Sequence, residues 1–72
     1  MELKFYYLQS DDLIAEIPSN DVPIIGQKIF LPDQDELYVV LDTVIDYRKW
    51  GNNYPTYANI TVIRARTSLG RV

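Results

Sequence analysis

Residues 2–9 set Leu3, Phe5 and Tyr7 against Glu2, Lys4 and Tyr6, a period of two that marks a strand with one face buried. Leu13–Ile17 is short, holds two isoleucines and runs into Pro18, which favours a returning hairpin strand over a helical turn. A brief strand is predicted over Lys28–Leu31 after Gly26, and the longest over Glu36–Arg48. In that segment the odd positions Leu37, Val39, Leu41, Thr43, Ile45 and Tyr47 form one nearly apolar face, which assigns them inward. Thirteen residues exceed the usual length of a strand, so a bulge is expected near Asp42-Thr43. The fifth strand is Tyr57–Arg66, where Val62-Ile63 breaks the alternation and implies a second bulge or burial on both faces.

Turn residues separate these segments: Ser10-Asp11-Asp12, Pro18-Ser19-Asn20-Asp21, Pro32-Asp33-Gln34-Asp35 and Gly51-Asn52-Asn53. The pattern predicts a single domain over residues 1–72, all-β, with five antiparallel strands in meander order forming a small barrel or roll. Its expected core is Leu3, Phe5, Ile29, Leu37, Val39, Leu41, Ile45, Ile60 and Val62. Val, Ile, Thr and the aromatics make up 27 residues and Ala only three, which agrees with strands.

Composition narrows the chemistry. There is no Cys and no His, which removes disulfides, thiolate zinc sites, thiol nucleophiles and the commonest acid–base group near neutral pH. The core of a 72-residue chain has little room to surround a substrate, so the chain is expected not to be an enzyme and to hold no cofactor or metal. The alternate carboxylates of Asp33-Gln34-Asp35-Glu36 lack the glycine and the distant Glu of a calcium loop and are assigned to a surface turn. No apolar run approaches the ~20 residues of a membrane span and the start carries no leader pattern, so a soluble, cytoplasmic protein is expected.

Charge is unevenly spread. All ten acids lie in residues 1–47 with only Lys4 and Lys28, a net −8, whereas residues 48–72 hold five bases and no acid. The first expectation is neutralisation across the sheet, with Asp42 and Asp46 facing Arg64 and Arg66. The densest chemistry is the aromatic–basic stretch Tyr47, Arg48, Lys49, Trp50, Tyr54 and Tyr57, the residue types that dominate protein interfaces. It is the candidate partner-binding site. The alternative is a single-stranded nucleic-acid surface in which the aromatics stack on bases and Arg64 and Arg66 contact phosphates. The N-terminal strand Glu2–Gln9, if it lies at a sheet edge, would in addition pair with its copy in a homodimer.

The run Pro23-Ile-Ile-Gly-Gln-Lys-Ile-Phe-Leu31, a turn, Leu37-Tyr-Val-Val40 and the closing Ile60-Thr-Val-Ile63 resembles short SH3-like β-barrel proteins of bacteria and phages. The resemblance covers about residues 23–65 and implies the fold and an accessory or regulatory role. The acidic loop and the Ala-Leu-Tyr-Asp-Tyr run through which SH3 domains bind peptides are missing, so it assigns no binding residue. The function expected from the residues is a non-catalytic module that binds another protein.

Overall fold

A computed structural model describes residues 1–48 and 56–65. Five strands follow in order: β1 (Glu2–Tyr7), β2 (Leu13–Pro18), β3 (Lys28–Phe30), β4 (Leu37–Asp46) and β5 (Tyr57–Arg64). All five stand where the alternation and the turn residues put them, within two residues at either end. They form one curled sheet, a half-barrel in the order β2-β1-β5-β4-β3.

The sheet is mixed, which corrects the expectation of purely antiparallel pairing. β1 runs parallel to β5, with Leu3 opposite Ala58 and Phe5 opposite Ile60, while the other three pairings are antiparallel. The reason is parity. In a meander the strands alternate in direction, so the first and fifth point the same way and can join only in parallel. The meander neighbours are otherwise kept, except that β2 and β3 are not paired. The opening of the barrel therefore lies between β2 and β3, and β1 is covered on both sides by β2 and β5. That corrects the expectation that residues 2–9 lie at an edge where a second copy could pair.

The core is contributed by alternate residues of three central strands: Leu3 and Phe5 from β1, Tyr38 and Val40 from β4, and Ala58, Ile60 and Val62 from β5, with Leu31 beyond β3. In β5 the period of two is unbroken from Tyr57 to Val62. Ile63 is half-buried on the outer face opposite Val39, so partial burial on both faces, not a second bulge, explains the Val62-Ile63 step.

In β4 the inward face changes phase. Tyr38 and Val40 are buried, the ladder shifts between Val40 and Asp42, and beyond it Ile45 packs against the core. Leu41 is the extra residue and is 38% exposed. One inserted residue turns every later side chain over. The assignment of Leu37, Val39 and Leu41 to the core is thus wrong: the first two lie half-buried on the outer face and the third sits on the bulge. Ile45 and Ile29 are half-buried against the core, and Leu3, Phe5, Ile60 and Val62 are inside as expected.

The approach to β3 is a turn in which Gln27 N–H donates to Ile24 O (3.0 Å) and Gly26 takes a positive φ of 92°. This is the third position of a type II turn, where a side chain is strained. A Cβ on Gly26 would meet nothing within 4 Å. Gly26→Ala is therefore expected to cost about 1 kcal/mol through backbone strain alone, read as a lower urea midpoint with an unchanged slope.

Candidate functional site

The arrangement of backbone groups at the β2–β3 opening follows from the ladders. Val40 uses its N–H and C=O toward β3, donating to Gln27 O (2.9 Å) and accepting from Gly26 N–H (2.7 Å). By alternation Tyr38 does the same with Ile29, and the backbone groups of Lys28 and Phe30 turn away from β4 toward the opening. On the other side Ser19 N–H donates to Met1 O and Tyr7 N–H to Asp12 O, so the odd residues of β1 face β2. Leu3 and Phe5 therefore bond Ile17 and Ala15, and Ile14, Glu16 and Pro18 turn their backbone groups outward. No Cα of β2 comes within 8 Å of one of β3.

A cavity of about 330 Å³ occupies this opening. Leu3 and Phe5 form its floor, Ile17 one wall, and Ile29 and Phe30 the other, with Val22 and Pro23 at one end. At the opposite end the Tyr38 hydroxyl donates to Gln34 Oε1 (2.5 Å), and Gln34 Nε2 donates to Ile14 O (3.0 Å). A side-chain amide thus occupies one outward carbonyl of β2 where a neighbouring strand would bond. The most exposed large apolar side chains among the described residues are Phe30 at the cavity wall, at 69%, and Ile24 and Ile25 in the turn before β3, at 72% and 65%. Single exposed apolar residues are ordinary, and these three stand close together along the chain, on β3 and the turn before it.

Of the residues singled out from the sequence, Tyr47 and Arg48 follow β4 and Tyr57 opens β5 at the same end of their ladder, where Asp46 stands opposite Tyr57, while Arg64 stands at the other end. Lys49, Trp50, Tyr54 and Arg66 lie outside the described residues. Tyr47 is 59% exposed. Arg48 is held by Asp46 through two hydrogen bonds of 3.0 and 2.7 Å, an interaction that raises its already high pKa further. Tyr57 is half-buried on the outer face, with Lys4 Nζ 4.5 Å from its ring centre. Arg64 pairs with Glu36 (3.2 Å) and its guanidinium lies 5.7 Å from the centre of the Tyr7 ring. Both pairs replace the expected bridges from Asp42 and Asp46 to Arg64. Asp42 faces Thr61, and Asp46 is satisfied by a residue two places along its own chain. Among the described residues no cluster of acids could hold a metal ion, and no helix is long and apolar enough to cross a membrane.

Ile24, Ile25 and Phe30 were missed as candidates, although the sequence carries a signal for two of them. Adjacent isoleucines before a turn glycine cannot both follow a period of two into the core. Comparison with protein-family models, with curated proteins and with solved structures gave no match.

Proposed function

We propose that this chain is a non-catalytic interaction module that binds another protein through the opening between β2 and β3. The observation that carries the reading is the pair of strand edges, unpaired among the described residues, over a mostly apolar cavity floored by Leu3 and Phe5, with Phe30 exposed at its wall and Ile24 and Ile25 exposed in the preceding turn. An edge with outward N–H and C=O groups and a row of apolar side chains is a surface that gains from being covered. The exposed Tyr47, with Arg48, Lys49, Trp50, Tyr54 and Tyr57, is part of the same proposal, as a second contact region. The SH3-like character, and with it an accessory role in the cytoplasm of a bacterium or a phage-infected cell, is likewise proposed; five short strands curled into one half-barrel support it.

The nucleic-acid reading is less well supported. Of its described contacts, Arg64 and Arg48 are each engaged by a carboxylate, and residues 1–47 carry ten acids against two bases. The test compares two assays: capture from a cell extract with wild type and Phe30→Ala in parallel, and mobility shifts of single- and double-stranded oligonucleotides at low salt. Proteins retained by the wild type and lost with Phe30→Ala support the reading. Micromolar oligonucleotide binding that disappears on adding salt would overturn it.

A further inference from the structure

We infer that the occupant of the β2–β3 opening is an extended, basic segment of the partner protein, which inserts as an additional strand and closes the barrel. This rests on the protein-binding reading above and names the chemistry of what is bound.

Three observations converge. The first is room. β2 and β3 are farther apart than paired strands, with no Cα separation of 8 Å or less. An inserted strand would lie ~4.8 Å from each edge, which calls for a gap of roughly twice that. The second is hydrogen bonding. Lys28 and Phe30 on one edge, and Glu16 on the other, turn their backbone groups into the gap, and Gln34 already fills the place of an incoming donor at Ile14 O. β2 and β3 run in opposite directions, so the inserted segment is antiparallel to one edge and parallel to the other. β2 spans six residues, which sets the length of the segment at about six.

The third observation is charge. The gap is bordered by exposed acids: Asp12 and Glu16 on the β2 side, Asp21 beyond Pro18, and Asp33 and Asp35 on the turn that carries Gln34. Lys28 is the one base on either edge, and Lys4 of β1 stands opposite Glu16, so the five acids face two bases. An extended segment whose alternate side chains are apolar fills the cavity above Leu3 and Phe5, and Lys or Arg at the intervening positions meets the acidic border. The same charges disfavour an acidic segment.

The test uses a library of random twelve-residue peptides displayed against the full chain, followed by synthetic peptides made from the enriched sequences. Enriched sequences are expected to alternate apolar with polar positions, to carry Lys or Arg and to lack Asp and Glu. The bound peptide should shift the amide signals of Glu16, Lys28 and Phe30. N-methylation of alternate peptide amides should weaken binding at least 10-fold, as strand addition depends on main-chain bonds. Lys28→Pro removes an outward N–H without touching the β3–β4 ladder, a change that edge strands tolerate. It should also weaken binding at least 10-fold, whereas Lys28→Gln should not. Glu16→Lys supplies a second variant, again with weaker binding expected.

Peptides that bind but shift Tyr47 and Tyr57 instead would overturn strand insertion and leave the protein-binding reading standing. A library that yields no binder would also overturn strand insertion, with the broader reading then decided by the capture experiment. A dimer at tens of micromolar that the peptide cannot displace would place a second copy in the opening and refute the inference.

Discussion

Ile60→Ala is expected to unfold the protein or bring it close to unfolding. Ile60 is fully buried in β5, between β1 and β4, where Phe5 and Thr43 are its neighbours in register. Truncating a buried isoleucine costs about 2–5 kcal/mol, since the lost transfer energy is joined by that of the cavity left behind. A domain of this length has a total stability of roughly 4–11 kcal/mol, and no disulfide reinforces it. A loss of ~3 kcal/mol corresponds to a fall in Tm of roughly 12–24 °C. Leu41→Ala is the contrasting variant. The side chain lost is larger than many in the core, but it sits on the bulge, so a cost under about 1 kcal/mol is expected. Thermal melts of the two variants side by side test the phase of β4: equal losses would mean that Leu41 is inside and the bulge is misplaced.

Phe30→Ala is expected to separate binding from folding. Its ring is 69% exposed at one wall of the opening, so the free protein should lose less than about 1 kcal/mol. In the proposed complex the partner covers this side chain, which lies on the outer face opposite Leu37, and truncating a covered aromatic anchor typically removes 2 kcal/mol or more. That is about a 30-fold weaker complex, appearing mainly as faster dissociation. Titration of the captured partner against wild type and Phe30→Ala, with melts of both free proteins, measures each quantity. Equal affinities would remove the β3 edge from the interface.

The strands were legible in the sequence because their signals are local. Alternation over Glu2–Tyr7 and Tyr57–Val62, and the turn residues between segments, placed all five elements. What could not be read locally was phase and pairing. In Leu37-Tyr38-Val39-Val40 both faces are apolar, so periodicity gave no preference, and a continuous odd face is incompatible with the bulge expected within it. Tyr38 enters the core because Gln34 is positioned to accept from its hydroxyl, a partner that periodicity does not reveal. The position of the opening is equally non-local: it depends on β1 meeting β5, more than fifty residues away along the chain. Because the opening holds the proposed site, the aromatic–basic stretch was the most visible candidate, while Phe30 and the Ile24-Ile25 turn passed as strand and turn residues.

The central claim is that the barrel is open between β2 and β3, and amide hydrogen exchange of the free chain tests it residue by residue. The amides of Glu16, Lys28 and Phe30 are expected to exchange on the timescale of exposed groups. Those of Ile29, Leu3, Ile60 and Val62 lie within ladders and should be protected through local or global opening. Slow exchange at Glu16, Lys28 and Phe30 in the monomeric, unliganded protein would show both edges already bonded. The barrel would then be closed, and the account of its function contradicted.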